Sequence, residues 1–275
     1  MKKVFHFVLG LLLLLAASCD IVDEPYTRII GNDDDDNEPT EVVQKVLLEE
    51  FTGHQCPNCP AGAQVANQLH EIYPEKFIVI AYHAGWFART NTSFPVDYRT
   101  TEGTALDVYF KPGSYPSGVV NRKPYNNTII LDRSIWAPAT AAQMSNEPKL
   151  QLQILTNYNE TYRALSVAVT AKALTTLDPL KLCIFVTEGG LVSPQVASGG
   201  TIDNYVHNHV FRASLNGTWG QNLFSQETIA NQVRTISVLT ILNSSWNAQN
   251  LSIVCFAYSD VTGEIIQVEE AKVIE

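Results

Sequence analysis

The chain has no excess of basic residues. Its 18 lysines and arginines stand against 28 aspartates and glutamates, so the formal net charge is −10 at pH 7. Proteins that bind nucleic acid present a basic surface, and we therefore expect no nucleic acid partner. The sequence also lacks a phosphate-binding loop, a serine triad and a legible pair of catalytic acids. Kinase and hydrolase chemistry therefore have no support, and no motif predicts a bound cofactor.

The apolar run at the N-terminus is too short to cross a membrane. It spans residues 4–15, follows Lys2 and Lys3, and ends in the small residues 16–18. A transmembrane helix needs about 20 apolar residues. A charged start, a short apolar core and a small-residue cleavage site are instead typical of a secretory signal peptide. We predict that residues 1–18 are a signal peptide.

Cys19 follows the predicted cleavage site. The segment Leu-Ala-Ala-Ser-Cys that ends at Cys19 resembles a bacterial lipobox, whose cysteine carries lipid and anchors the mature protein to a membrane. The alternative is an ordinary signal peptide that happens to end at a cysteine. Residues 19–40 are too acidic and too poor in apolar residues to form a core, which predicts a lipidated acidic tether.

The acids close behind Cys19 bear on location. They resemble the export signals of surface lipoproteins in the Bacteroidetes, which implies lipid anchoring in the outer membrane with exposure at the cell surface. In enterobacterial lipoproteins, an aspartate next to the lipid cysteine implies retention at the inner membrane. The host decides which of the two rules applies, and a periplasmic face is the alternative location.

Cysteine is scarce, with five in the chain, and two of the five stand close together. Cys56 and Cys59 lie between an apolar run that predicts a strand and a segment that predicts a helix. If the helix begins between them, the sulfur of Cys56 lies at its open amide end, where unsatisfied N–H groups and the helix dipole favour a thiolate. The pair is then a redox site with Cys56 as nucleophile. A structural disulfide is the alternative, and metal binding is disfavoured because no second Cys-x-x-Cys completes a zinc set.

The remaining cysteines lie in apolar, strand-like runs. Cys183 and Cys255 are expected to pack as small buried side chains, with a second disulfide as the alternative in an oxidising compartment. Two histidines, His207 and His209, could form a metal pair, since alternate residues of a strand face the same side. Local hydrogen bonds are the commoner role of such histidines, so we predict no metal site.

The pattern of the chain changes near residue 147. Between residues 41 and 147, strand-like and helix-like stretches alternate, which predicts an α/β domain. Strands are expected at residues 41–51, 77–83 and 118–121, and helices at residues 60–73, 98–110 and 131–145. Residues 148–275 follow a period of two between hairpin turns, which predicts an antiparallel, immunoglobulin-like β-sandwich domain. Within it, residues 193–222 are expected to form a long polar excursion.

The first domain resembles a thioredoxin-like domain in three separate features. A strand-like run that contains Glu50 precedes the cysteines, the Cys-Pro-Asn-Cys pair opens a predicted helix, and residues 114–121 resemble the segment that holds the cis-proline of thioredoxins. The resemblance implies that Glu50 is a buried acid that relays a proton to Cys59. It also implies that a cis bond before Pro116 shapes a groove for an extended substrate.

The sequence departs from the thioredoxin pattern at three places. Gln55 stands where thioredoxins usually have tryptophan, and Tyr115 stands where they usually have threonine or valine. Residues 86–96 insert an unusual loop after the second strand. These departures bear on thioredoxin activity rather than on the fold.

A closer resemblance covers nearly the whole chain. The chain resembles the outer membrane protein 28 family of lipoproteins in the Bacteroidetes in five features. They are the lipobox, the acidic tether, the Glu-Glu-Phe-Thr-Gly-x-x-Cys-x-x-Cys-Pro segment, the Tyr-Pro-Ser-Gly segment and the Val-His-Asn-His-Val-Phe-Arg segment that begins at Val206. That family is known mainly as surface antigens and as candidate adhesins or receptors. The resemblance implies a surface lipoprotein whose β domain binds a protein or glycan ligand.

The alternative function is that of an envelope thiol–disulfide oxidoreductase. In this reading Cys56 attacks a partner disulfide, Cys59 resolves the mixed disulfide, Glu50 moves protons and Pro116 shapes the docking groove. From the sequence we favour the binding role, because the signal behind Cys19 points outward, where no electron partner is assured.

Overall fold

The computed structural model describes residues 41–274. The predicted signal peptide at residues 1–18 and the predicted tether at residues 19–40, with the lipidation site Cys19, lie outside the described residues. No helix between residues 41 and 274 is long and apolar enough to span a membrane.

The first half of the described chain is an α/β layer. Its elements in chain order are β1 (Val46–Thr52), α1 (Cys59–Ile72), β2 (Phe77–His83), α2 (Thr101–Phe110), β3 (Ser117–Val120), β4 (Leu131–Asp132) and α3 (Arg133–Met144). The strands lie in the order β2-β1-β3-β4, with β1 parallel to β2 and antiparallel to β3. This is the arrangement that the thioredoxin resemblance implies, and the predicted α/β alternation is confirmed.

Strand β1 is buried along its whole length and supplies side chains to both faces of the sheet. Leu48 packs on one face, in a core with Leu69 of α1 and residues of α3. Leu47 packs on the other face, in a core with Leu106 of α2. The two glutamates that follow in β1 obey the same alternation, so each face of the sheet receives one carboxyl group.

The second half is built from strands. They are β5 (Leu150–Asn159), β6 (Ala164–Ala173), β7 (Leu180–Glu188), β8 (Leu191–Ala197), β9 (Gly200–His207), β10 (Val210–Ser214), β11 (Gln221–Phe224), β12 (Val233–Ile241), β13 (Leu251–Ser259) and β14 (Ile265–Lys272). β7 pairs antiparallel with β10, β11 and β13, and β13 pairs with β14. β10 also pairs with β2, at Val210 and Ala81, so one large sheet continues through both halves.

A second sheet packs on the large one in the β half. It has three antiparallel strands in the order β12-β6-β5. Val167 and Val169 of this sheet share a core with Ile184 of β7 and Ile253 of β13. Antiparallel layers are therefore present, but the immunoglobulin-like topology is not confirmed, because β7 and β13 belong to the sheet that also contains β1 and β2. The division into domains at residues 147 and 148 stays a prediction.

Residues 193–222 form strands, and the prediction of a polar excursion there was wrong. Strands β8 and β9 pair as a hairpin, while β10 and β11 pair with β7. These strands are short and mix polar with apolar residues, so they carry little apolar periodicity. The partners of β10 and β11 lie elsewhere in the sequence, on β7.

Cys183 and Cys255 are both buried, and within the described residues neither forms a disulfide. In the pairing of β7 with β13, Cys183 is opposite Phe256 and Cys255 is opposite Ile184. Cys183 lies in the core of the α2 face, whereas Cys255 lies in the core between the two sheets. The predicted role as small buried side chains is confirmed, since the two sulfurs project to opposite faces of the large sheet.

Candidate functional site

The cysteine pair lies where β1 leads into α1. β1 ends at Thr52, and α1 begins at Cys59 with Asn58 as its N-cap residue and Pro60 in its first turn. Proline suits this position because the N–H groups of a first turn have no partner inside the helix. Cys56 and Cys59 are joined by a disulfide and are only 1% and 2% exposed. The helix thus begins next to the pair, as predicted, and the disulfide is covered.

Glu50 lies on the face of β1 that α1 covers. Its carboxyl group is buried, and among the described residues its Oε1 atom has no hydrogen-bond partner. Burial raises the pKa of Glu50 from the ordinary value of 4.5 to about 8, because the charged form would lose its hydration. Glu50 and Cys59 line the same small cavity of about 30 Å³. The acid is therefore mostly protonated at neutral pH, and it lines the same cavity as Cys59.

Gly62 of α1 lies close both to this acid and to Pro116. The peptide bond between Tyr115 and Pro116 is cis. A Cβ atom at Gly62 would lie 2.8 Å from Cγ of Pro116 and 3.0 Å from Oε1 of Glu50. Only glycine fits this position without a shift of its neighbours. The cis-proline segment thus lies near both the buried acid and the helix that carries Cys59.

The segment that follows β2 forms one wall over the cysteine pair. A single turn of 3-10 helix, Trp86–Ala88, leads into an extended loop. The ring of His54 stacks on Phe94 with centroids 5.3 Å apart, and its Nε2 atom lies 2.9 Å from the carbonyl oxygen of Arg89. Burial lowers the pKa of His54. The loop predicted as an insertion is therefore part of the site.

The β8–β9 hairpin forms the second wall and covers the disulfide. The side-chain amide of Gln195 donates to the carbonyl oxygen of Cys56 at 3.0 Å and to that of Val196 at 2.9 Å. The backbone N–H of Val196 donates to the carbonyl oxygen of His54 at 2.8 Å. The hairpin therefore binds the cysteine loop with backbone and side-chain hydrogen bonds, although Gln195 is 139 residues from Cys56 in the chain.

Histidines and a tyrosine complete the interior of the site. The rings of His83 and His207 lie 5.4 Å apart, and the ring of Tyr205 lies 4.8 Å from that of His207. Burial lowers the pKa of His207 to about 4 and holds the pKa of His83 well below its usual value. Both histidines are therefore neutral at pH 7. The interior is polar but uncharged, which is the environment that keeps Glu50 protonated.

His207 and His209 do not face a common site. The Nε2 atom of His207 lies 3.0 Å from the hydroxyl of Ser193, whereas the ring of His209 lies 6.3 Å from that of His70. His209 has a φ of 57°, which breaks the alternation expected of a strand. Between residues 41 and 274, no three His, Cys, Asp or Glu side chains are grouped so as to hold a metal ion.

The structure brings the predicted redox residues together. Glu50, Cys56, Cys59 and Pro116 meet at the end of β1 and the start of α1, and we call this group the thiol site. Their catalytic roles stay a prediction. The sequence reasoning missed the hairpin that carries Gln195. No signal in the sequence links the short strand β8 to a loop so distant along the chain.

A second concave region lies on the other face of β1. Nε and Nη2 of Arg122 donate to the carboxylate of Glu49 at 2.7 and 2.8 Å, and the hydroxyl of Tyr82 donates to it at 3.0 Å. The guanidinium group of Arg122 lies 4.9 Å from the ring centroid of Phe256 and 5.2 Å from that of Tyr258. This buried ion pair was not predicted from the sequence.

Arg122 forms part of the lining of an open cleft of about 530 Å³. We call it the aromatic cleft, and its other lining residues include Tyr109, Lys181, Trp219, Tyr258 and Asp260. The rings of Tyr109 and Trp219 are exposed at its rim. The described residues therefore carry a closed polar site on one face of the sheet and an open aromatic cleft on the other.

A family model for the outer membrane protein Omp28 matches residues 103–275. The chain belongs to the Omp28 family. The matched residues contain the cis-proline segment and the hairpin over the disulfide. Membership of this family places the chain in the cell envelope, at the outer membrane. No protein with a curated description matches the chain.

Solved structures share the fold over most of the Omp28-family chain. HBP35 of Porphyromonas gingivalis is 19% identical, with a TM-score of 0.62 over 85% of this chain and 76% of the other. A protein from Agrobacterium tumefaciens is 10% identical, with a TM-score of 0.51 over 86% of this chain and 97% of the other. A domain of the outer membrane lipoprotein Omp28 from Porphyromonas gingivalis is 25% identical, with a TM-score of 0.31 over 46% of this chain and 90% of the other. The first two likenesses show a shared fold.

Proposed function

We propose that the Omp28-family chain carries a thiol–disulfide exchange site, closed by the β8–β9 hairpin, on a lipoprotein of the outer membrane. The observation that carries this proposal is the Glu50 carboxyl group, which lies buried beside Cys59 and whose Oε1 lacks a hydrogen-bond partner among the described residues. Burying a polar group without a partner costs roughly 1–3 kcal/mol. A purely structural disulfide gains nothing from such a neighbour. A disulfide that must release a thiolate gains a proton donor.

Exchange begins when a thiolate of a partner dithiol attacks Sγ of Cys56. A bond forms between the partner and Cys56, the Cys56–Cys59 bond breaks, and Cys59 leaves as a thiolate that takes the proton of Glu50. The partner's second thiol returns a proton to Glu50 and attacks the mixed disulfide. The partner leaves as a disulfide, and Cys56 remains as a thiolate at the open end of α1. A low-molecular-weight disulfide, such as oxidised glutathione, restores the oxidised site.

The hairpin controls access to this reaction. Cys56 is 1% exposed, so a partner reaches its sulfur only after the hydrogen bonds of Gln195 and Val196 to the cysteine loop open. Each hydrogen bond of this kind contributes roughly 0.5–1.5 kcal/mol net. The free energy needed to open a short hairpin held in this way is well below the free energy of global unfolding.

The decisive test is trapping of the mixed disulfide. We expect the Cys59→Ser variant to form a stable covalent adduct with insulin through Cys56, visible on a non-reducing gel and by mass spectrometry. The Cys56→Ser variant should form none, and Cys183→Ser is the matched control for a buried thiol elsewhere. If the wild-type protein exchanges with neither insulin nor oxidised glutathione and Cys59→Ser traps nothing, the disulfide is structural and the proposal fails.

The role of Glu50 has its own readout. General acid–base catalysis contributes about 10²–10⁴-fold to a rate. We expect Glu50→Gln to slow reduction of the disulfide by dithiothreitol and to remove the change of rate near pH 8 that follows the titration of Glu50. A glutamine of similar size preserves the shape of the site. A pH profile unchanged by Glu50→Gln would refute the assigned proton transfer.

A second candidate function is binding at the cell surface, in the manner of an adhesin or receptor, with lipid on Cys19 as the anchor. The aromatic cleft favours it, because its rings are exposed while the thiol site is covered. The ligand class is a protein or a glycan, recognised by residues of the β half together with Tyr109 and Arg122 of the first half.

Location separates the two candidates. We expect Cys19→Ala to release the protein from the membrane fraction, and protease treatment of intact cells to digest the wild-type chain if it faces outward. Digestion supports surface binding. Protection until the outer membrane is opened instead places the thiol site in the periplasm, where dithiol partners are available, and removes the case for an adhesin.

A further inference from the structure

We infer that the aromatic cleft is a binding site for a neutral oligosaccharide. The inference rests on the binding function proposed above as the second candidate and is independent of thiol exchange. The cleft of about 530 Å³ falls within the range of roughly 300–1,000 Å³ that is usual for ligand sites. Aromatic rings and polar side chains share its lining, which is the combination that distinguishes a ligand site from a simple surface depression.

Two exposed rings form a corner at the rim. Tyr109 is 65% exposed and Trp219 is 39% exposed. Their ring centroids lie 4.8 Å apart and their planes meet at 65°. A flat ligand such as a porphyrin can lie against only one of two rings set at this angle. The puckered ring of a sugar presents an apolar C–H face to one ring and its edge to the other.

The corner is held in place before any ligand arrives. The hydroxyl of Tyr258 donates to the carbonyl oxygen of Trp219 at 2.7 Å. Tyr109 belongs to the last turn of α2, which fixes its backbone, and its ring packs on that of Trp219. Gly220 has a φ of 67°, a left-handed conformation that favours glycine, and it places Trp219 at the turn before β11. Preorganised rings reduce the entropy lost when a ligand binds.

The charges of the cleft favour a neutral ligand. The cation of Arg122 is paired with Glu49 at 2.7 Å, and Nζ of Lys181 lies 3.1 Å from Oδ1 of Asp260. Because each of these cations has an acid beside it, an anionic ligand would gain little here. A purely apolar ligand would cover Lys181, Asp260 and Thr262 without offering them hydrogen bonds. Sugar hydroxyls both donate and accept, so they match this mixed rim.

Calorimetric titration of the mature chain tests the inference. The probes are maltohexaose, cellohexaose and xylohexaose, all neutral. We expect saturable binding of at least one of them, weakened at least about tenfold by Trp219→Ala and also weakened by Tyr109→Ala. The matched control is Trp86→Ala, since Trp86 is 67% exposed but lies on the loop beside the thiol site. Circular dichroism melting establishes that each variant is folded.

The outcomes are decisive in both directions. Absence of saturable binding by all three saccharides, or equal affinity in wild type and in the folded Trp219→Ala variant, overturns the inference. Displacement of the saccharide by a mixture of unstructured peptides also overturns it, because the cleft is then a peptide site. A Cys56→Ser, Cys59→Ser double variant should bind as wild type does. Loss of thiol exchange therefore leaves this result untouched.

Discussion

Glu49 and Glu50 are adjacent in β1, yet their surroundings differ completely. Glu49 accepts hydrogen bonds from Arg122 and Tyr82 on the face of the sheet that leads to the aromatic cleft. Glu50 faces α1, and its Oε1 atom finds no partner among residues 41–274. The only difference between the two positions in the chain is one step of strand alternation.

One strand thus carries two buried carboxyl groups in different states. A buried carboxylate with a bidentate cation contributes to structure, because removing its partner would leave an uncompensated charge. A buried carboxyl group without a partner stays protonated and is available for proton transfer. The thiol site beside Glu50 is closed and contains a protonated acid, whereas the cleft beside Arg122 is open and lined by aromatic rings. Four measurements test this difference between the two faces.

The largest effect is expected from Glu49→Gln. This change leaves the guanidinium group of Arg122 buried without its anion, so the free energy of unfolding should fall by about 3–5 kcal/mol. Urea unfolding at pH 7 measures the change. The control is Glu71→Gln on the exposed side of α1, for which we expect about 0.5 kcal/mol or less. If the unfolding free energy of Glu49→Gln falls no further than that of the control, the proposed distinction between the two glutamates is wrong.

The next effect is the pH dependence of stability that Glu50 causes. Its pKa is about 8 in the folded state against an ordinary value of 4.5, so the folded state binds more protons between these values. Stability from this group therefore falls as pH rises through that window, by up to roughly 1.4 kcal/mol per pH unit. Glu50→Gln should abolish this fall.

The measurement is the difference in unfolding free energy between wild type and Glu50→Gln at pH 5, 7 and 8.5. Using the difference matters because His83 and His207 share the cavity, and their lowered pKa values act in the opposite direction. A difference that does not vary with pH would show that the Glu50 carboxyl group has an ordinary pKa.

A smaller effect is expected from Gln195→Ala, which removes the side-chain hydrogen bonds between the hairpin and the cysteine loop. Since about 1.4 kcal/mol corresponds to a factor of ten, loss of one or two such bonds should speed reduction of Cys56–Cys59 by dithiothreitol about tenfold. Thiol labelling followed over time measures the rate. Gln153→Ala on the exposed side of β5 is the matched control. An unchanged rate would mean that the hairpin does not limit access to the disulfide.

The smallest effect is expected from Lys181→Ala at the rim of the aromatic cleft. The ion pair of Lys181 with Asp260 is partly exposed, so its loss should change the free energy of unfolding by less than about 1 kcal/mol. Urea unfolding beside Glu49→Gln makes the comparison direct. A decrease of similar size in the unfolding free energy of both variants would show that the rim of the cleft contributes as much to stability as the buried ion pair.

Local patterns in the sequence predicted the parts of the thiol site that lie close together in the chain. An apolar run, a cysteine pair and a proline in the first turn of a helix act over a few residues, so they indicated where β1, α1, Cys56 and Cys59 lie. Glu50 and Pro116 came from the resemblance to thioredoxins, and in the structure Glu50 lines a cavity with Cys59 while Pro116 lies near Gly62 of α1. The immunoglobulin-like sandwich rested on period-two alternation and hairpin turns, which indicate strands but not the sheet that they join.

The α/β order of the first half, the strands of the second half outside residues 193–222 and the position of the cysteine pair thus follow from local sequence patterns. Only the tertiary structure decided that β10 joins β2, that the β8–β9 hairpin covers the disulfide, and that Tyr109 and Trp219 meet at a cleft. These features depend on contacts between residues far apart in the chain. Such contacts are selected by burial and backbone pairing in the whole molecule, which leave no local pattern to read.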